Sequence, residues 1–241
     1  MRYIYFSPHL DDAILSAGGL IADQTNAGIP VEIWTFMAGL PEGDELTDFA
    51  QEMHKSWGTT DAKETIEIRR EEDKRAAKHV GAKAVHFDFL DCIYRRGKNG
   101  EALYEASVFI SPHAEDMDLP AQIAQTMVAW LQPDDLVVSQ LAVGGHVDHI
   151  LVRKAAEMLK RQLLFYEDMP YVLRHPEDLS SKTAGMQDSL QAVTEPGLRS
   201  WLDANDLYSS QLASLFGSSD SMRESIWSYW LEQRGIRFWR I

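Results

Sequence analysis

The chain opens with an apolar run, Tyr3-Ile4-Tyr5-Phe6, that leads straight into Ser7-Pro8-His9-Leu10-Asp11-Asp12. Aromatic and β-branched residues in so short a run make a buried strand. Proline cannot donate to a sheet ladder, so the strand ends at Pro8. An apolar-periodic run begins at Ala13, and Asp11 or Asp12 stands where that helix needs an N-cap. A cap takes one Asp and no His. The surplus imidazole and carboxylate crowd the C-terminal end of a strand, where open α/β sheets bind their ligands.

The same grammar returns far along the chain. Leu136-Val137-Val138-Ser139 is followed by Gly144-Gly145-His146-Val147-Asp148-His149 and then by a helical pattern through Ile150, Leu151, Ala155 and Leu159. Two strand ends loaded with His and Asp, lying side by side in a parallel sheet, would let one divalent metal bridge them.

Between and beyond these clusters strands and helices alternate. A helix is read over residues 13–27, with Gly18-Gly19 inside it as a mark of close packing on the sheet, and a strand over 31–36. A polar loop covers 39–60 with a short helix near 49–57, and a charged helix spans 61–80. A strand covers 84–89, a helix 119–132, another helix 148–161 and a fifth strand 163–166. Residues 174–197 read as a strand-poor crossover, followed by helices near 198–216 and 220–234. This alternation predicts an α/β fold: a Rossmann-like, mostly parallel sheet of about five or more strands with helices on both faces. The whole of 1–241 reads as one domain, with residues 172–241 packing on the sheet.

Pro-His-x-Asp-Asp near the start, with His-x-Asp-His at mid-chain, resembles the PIG-L/LmbE family of zinc-dependent sugar de-N-acetylases. Arg69-x-x-Glu72 on a helix ending at Val80-Gly81, and the late Tyr208-Ser209-Ser210-Gln211, fit the same family. Leu10 and Ala13 depart from it, standing where Pro or Ala and Glu are common. The resemblance implies a metal held by His9, Asp12 and His149, zinc in the first instance, although iron suits the same donors. It leaves Asp11 unligated as the general base. His146 is then the second electrophile and proton donor to the leaving amine, with Asp148 orienting it. Arg69 and Asp91 are the candidate substrate contacts. By its residues alone Arg69 is equally a member of a salt-bridged helix surface. The implied reaction is removal of acetyl from an N-acetylglucosamine-type conjugate. The alternatives are an amidase on another small N-acyl conjugate, or a metal-containing sugar-binding protein without turnover.

Several other features carry a plainer reading. His86 and Asp88 share one side of a strand and form a polar face. Arg95-Arg96-Gly97-Lys98-Asn99-Gly100 is an exposed hairpin tip. Ser111-Pro112-His113-Ala114-Glu115-Asp116 echoes the first cluster but falls in a loop. Glu167-Asp168, at a strand end, either reaches the substrate or caps the turn at Pro170. A Gly-x-Gly-x-x-Gly loop and a Gly-x-Ser-x-Gly elbow are both absent, which argues against a dinucleotide oxidoreductase and a serine hydrolase.

Lys and Arg total 23 against 37 Asp and Glu, a net charge of −14, so nucleic acid and anionic membranes are poor partners. The lone cysteine, Cys92, forms no disulfide within the chain and reads as a small core hydrophobe. No stretch approaches the length of a membrane span. A cytoplasmic protein acting on a small amino sugar is expected, and a homo-oligomer is compatible with it.

Overall fold

The computed structural model describes residues 1–43 and 45–241. Among the described residues seven strands form one sheet: β1 (Tyr3–Ser7), β2 (Val31–Thr35), β3 (Lys83–His86), β4 (Leu136–Gln140), β5 (Leu163–Tyr166), β6 (Gln187–Ala192) and β7 (Gly235–Arg240). The longer helices are α1 (Asp12–Asn26), α2 (Asp48–Trp57), α3 (Ala62–His79), α4 (Leu119–Trp130) and α5 (Val147–Met158). Two short ones follow, α6 (Tyr171–Arg174) and α7 (Leu179–Lys182), and then α8 (Glu195–Asn205), α9 (Ser209–Phe216) and α10 (Ser219–Gln233).

The strand order is β3-β2-β1-β4-β5-β7-β6. The first five strands are parallel; β7 runs antiparallel to both β5 and β6. From β1 the chain builds outward through β2 to β3, then returns to β4 on the other side of β1. Right-handed crossovers in opposite directions put helices on opposite faces. Accordingly Ile4, Tyr5 and Phe6 are wholly buried, whichever face they point to. The reversal between β1 and β4 is the crevice where doubly wound sheets bind ligands, and the two His/Asp motifs sit at the C-terminal ends of those two strands.

Three details differ from the sequence reading. Gly18 and Gly19 pack against α8 rather than the sheet. A Cβ on Gly18 would fall 2.7 Å from Trp201 Cδ1, and one on Gly19 would fall 2.8 Å from Val193 Cγ1. Trp201 is tied there by its indole N–H, which donates to Ile14 O at 2.8 Å and Leu15 O at 3.0 Å. The helix read over 198–216 is broken at Tyr208, which turns inward to donate its hydroxyl to Asp73 at 2.7 Å. The stretch read as strand-poor contains β6, a mostly exposed edge strand whose polar sequence shows no apolar alternation. Its partner β7 does alternate, with Ile236 and Phe238 buried.

Candidate metal centre and active site

The turn after β1 is arranged so that neither aspartate is used as a cap. Asp11 occupies the N-cap position of α1 but makes no capping bond. Ser7 Oγ instead accepts the N–H of Ala13 at 3.0 Å, while donating to His9 O at 2.6 Å. This corrects the expectation that Asp11 or Asp12 caps the helix, and it leaves both carboxylates free.

Asp12 turns back on the turn. Its Oδ2 accepts the backbone N–H of His9 at 2.7 Å and lies 3.2 Å from His9 Nδ1. The same oxygen is 3.3 Å from Nε2 of His149, which comes from the first turn of α5. That Nε2 is buried and has no hydrogen-bond partner among the described residues. The far nitrogen of each imidazole meets a buried carboxylate: His9 Nε2 lies 3.1 Å from Asp148 Oδ2, and His149 Nδ1 lies 2.8 Å from Asp168 Oδ1. The carboxylates are fixed in turn, Asp168 by the N–H of Val143 at 3.0 Å and Asp148 by the N–H of Cys92 at 3.0 Å. An imidazole that donates one N–H to a fixed carboxylate presents its other nitrogen as a lone pair, which is how metal-ligating histidines are held. Nδ1 of His9 and Nε2 of His149 thereby converge on Asp12 Oδ2, a donor set that fits a divalent cation.

Electrostatics follow the packing. Burial opposes the charged forms of His9 and His149, but Asp12 with Asp148 raises His9 well above its ordinary value, and Asp12 with Asp168 raises His149 to about 9. Burial also works against Asp12, yet the two imidazoles hold it well below the usual carboxylate range. Asp11 is the reverse case: burial and the neighbouring Asp12 charge push it up to about 7, against the pull of Arg69.

His146 completes the ring of groups. Its ring lies 4.7 Å from that of His9 and 5.0 Å from that of His149, and the three imidazoles offer nitrogens within 4.8 Å of one another. The backbone N–H of Asp148 donates to His146 Nδ1 at 3.2 Å, so the neutral ring carries its proton on Nε2. Burial and the two neighbouring imidazoles lower its pKa well below the ordinary value, which keeps it neutral. The expected pairing of Asp148 with the His146 ring is not formed. Asp148 is wholly buried behind the ring, and its carboxylate turns to His9 and to Arg95 instead.

These groups floor a cavity of about 210 Å³. His9, Asp11, Asp12, Arg69, Asp91 and His146 line it, while Asp148 and His149 stand behind. Arg69 enters from α3 with Nη2 3.7 Å from Asp11 Oδ2 and its guanidinium 4.9 Å over the Trp57 ring. Asp91, after the β3 edge, lies 3.7 Å from His9 Nε2. The apolar walls are Met53 and Trp57 of α2, from the 39–60 stretch whose place at a strand end suits a pocket wall, with Val108, Phe109, Tyr171 of α6 and Leu215 of α9, which carry no such sign in the sequence. Gln211 and Ser214 add a polar strip. The motif Tyr208-Ser209-Ser210-Gln211 was the available signal for that wall. Glu72 accepts from Ser209 Oγ at 2.7 Å, Ser210 N at 2.9 Å and Ser210 Oγ at 2.6 Å, and so docks α9 beside the cavity.

Other marked residues go elsewhere. His86 Nε2 pairs with Asp73 at 2.7 Å and Asp88 with Arg70 at 2.5 Å, the polar-face reading. Glu167 accepts from Tyr229 Oη at 2.9 Å and Trp239 Nε1 at 3.0 Å, anchoring the C-terminal elements rather than reaching a substrate.

The family profile described as GlcNAc-PI de-N-acetylase, PIG-L, matches residues 4–159. The chain is 27% identical over 265 residues to 2'-N-acetylparomamine deacetylase of Niallia circulans, covering 99% of this chain and 94% of that protein. A protein of the same name from Streptomyces fradiae is 29% identical over 177 residues, which is 70% of this chain and 57% of that one. Among solved structures, the zinc inhibited form of teicoplanin deacetylase Orf2 matches with a TM-score of 0.86 and 27% identity, over 100% of this chain and 97% of that one. The matched stretch runs from β1 through both His/Asp motifs to the end of α5, and the chain belongs to the PIG-L family of de-N-acetylases.

Proposed function

We propose that this chain is a zinc-dependent hydrolase that removes the acetyl group from an N-acetylated amino sugar. The observation that carries this reading is the paired arrangement at Asp12. Two imidazole nitrogens face one carboxylate oxygen, and each ring is held from behind by its own buried carboxylate. His9, Asp12 and His149 are the ligands. Among the described residues no carboxylate bonds to the His146 ring, which faces the cavity. Relatives named as 2'-N-acetylparomamine deacetylase and teicoplanin deacetylase support removal of an acetyl group, and the zinc inhibited form of the latter supports zinc binding by this kind of fold.

A divalent cation bound there polarises an amide carbonyl and makes water more acidic. The remaining work belongs to side chains. Asp11 accepts the proton of the attacking water as its oxygen bonds to the acetyl carbon. A carboxyl whose pKa is near neutrality suits that task. His146 Nε2–H donates to the carbonyl oxygen as it gains charge. When the C–N bond breaks, the leaving amine needs a proton. Asp11 now carries one, and the neutral His146 is the poorer source. Arg69 holds Asp11 in place, and Asp91 faces the sugar hydroxyls.

No helix among the described residues is long and apolar enough to cross a membrane. The single, wholly buried Cys92 suits a reducing, cytoplasmic setting. The test is incubation of zinc-loaded protein with a panel of N-acetylated amino sugars, followed by mass spectrometry for acetate loss. Chelator-sensitive release supports the reading. Tight binding without turnover across the panel would favour a metal-containing sugar-binding protein.

A further inference from the structure

Residues 93–118 take little part in the reaction just described, yet one of them reaches its centre. The hairpin-tip reading holds for Arg96, which is exposed, but not for Arg95, which is 8% exposed. The Arg95 guanidinium meets acceptors from three parts of the chain. Nε donates to Asp116 Oδ2 at 2.8 Å, Nη1 donates to Leu90 O at 2.9 Å, and Nη1 lies 2.6 Å from Asp148 Oδ1. Tyr104 lies beneath it, ring centroid 5.2 Å away, and donates its hydroxyl to the same Asp116 oxygen at 2.5 Å. The other oxygen of Asp148 faces His9 Nε2 at 3.1 Å.

A continuous run of contacts therefore leads from Tyr104 through Asp116, Arg95 and Asp148 to His9. Asp148 is wholly out of solvent, and a buried carboxylate needs a paired counter-charge. Arg95 supplies it. Among the described residues Asp168, the matching carboxylate behind His149, has the N–H of Val143 and pairs with no arginine. The two histidines are thus held by unlike means, and the one on the β1 turn depends on a loop distant in sequence.

We propose that Arg95 is a positioning residue for the metal centre: clamped by Asp116 and Tyr104, it pins Asp148, which pins the His9 ring with Nδ1 turned toward Asp12. A planar guanidinium spans Asp116, Leu90 O and Asp148 at once; a lysine ammonium does not. The Asp116 of the sequence echo at residues 111–116 is the outer anchor of this chain of contacts.

The inference rests on the ligand set proposed above. Zinc affinity of the full chain is read by competition with a chromophoric chelator for wild type, Arg95→Lys, Asp148→Asn, the double variant, Asp116→Asn and His149→Ala. Residues that orient metal ligands typically carry about 10- to 100-fold in metal affinity. Arg95→Lys and Asp148→Asn should each weaken zinc about tenfold or more. The double variant should be no weaker than Asp148→Asn alone, because Arg95 acts through that carboxylate. Asp116→Asn, which keeps both Arg95 and Asp148, should weaken zinc severalfold and stands in if Arg95→Lys does not fold. Zinc affinity within twofold of wild type in the folded Arg95→Lys or, in its place, Asp116→Asn protein overturns the proposal, whatever happens to the melting temperature. So does a double variant whose loss is the product of the two single losses. His149→Ala separates the premises: zinc retained in that variant sinks the ligand set itself, whereas zinc lost there but kept in the Arg95 and Asp116 variants sinks only the role of Arg95.

Discussion

Asp11→Asn separates function from stability at a single atom. The change keeps the shape of the side chain and removes its proton acceptor. Loss of a general base lowers turnover by about 10²–10⁴-fold, which is about 3–5 kcal/mol of barrier. The effect on the fold runs the other way. Burial and the adjacent Asp12 charge raise the Asp11 carboxyl from 3.8 to about 7. Ionising it in the native state then costs on the order of 4 kcal/mol relative to the unfolded chain. The native state holds the extra proton, so this group's stability is full below pH ~4 and is lost as pH rises toward ~7. The asparagine variant has no such loss. Chelator-treated Asp11→Asn protein should therefore equal or exceed wild type in stability at pH 8, with the difference shrinking toward pH 4. Urea unfolding at several pH values, with turnover measured on the zinc-loaded forms, tests both halves. The variant still pairs an amide against the Arg69 guanidinium, 3.7 Å away. If that lost attraction dominates, the variant would be destabilised at pH 8, and the balance drawn here between Asp12 and Arg69 would be wrong. A rate loss below tenfold would remove Asp11 as the base.

Asp12→Asn and His149→Ala should lose bound zinc by elemental analysis while Asp11→Asn keeps it; the opposite order for the two aspartates would reverse their roles. Gly18→Ala should cost about 1–3 kcal/mol in denaturant unfolding, because the new Cβ meets the fixed Trp201 ring at 2.7 Å. A stabilised variant, as at an open helix site, would contradict that packing. Glu72→Ala removes the three bonds that dock α9, and so should raise KM for the amino sugar while leaving zinc content unchanged. Zinc lost from a folded Glu72→Ala protein would mean that α3 supports the metal rather than the cavity wall.

Much of the frame was readable because its signals are local. The run Tyr3–Phe6 cut off by Pro8, and the run Leu136–Ser139 ahead of paired glycines, mark strand ends without knowledge of their neighbours. The alternation of strand and helix then leaves few topologies once crossovers must be right-handed. The family resemblance of the two motifs named His9, Asp12, His149 and Asp11 together; the fold sets His9, Asp11 and Asp12 on one cavity floor with His149 behind them. The C-terminal third was harder. Strand β6 is an exposed polar edge, so burial left no period-2 mark on it. The break at Tyr208 serves a hydrogen bond to Asp73, 135 residues away.

What only the tertiary structure decided concerns the partners of buried charges. Ser7 caps α1, and this frees Asp11 and Asp12; no residue count distinguishes a hydroxyl at that place from a carboxylate one turn on. Asp148 reads by sequence as the neighbour of His146, but three-dimensional packing hands it to His9 and Arg95. Asp168 becomes the support of His149 because β5 lies beside β4. Backbone capping and hydrophobic periodicity act over a few residues and leave their trace in the chain. Pairing a buried carboxylate depends on which cation or N–H the folded chain brings within about 3 Å, and sequence distance carries no record of that.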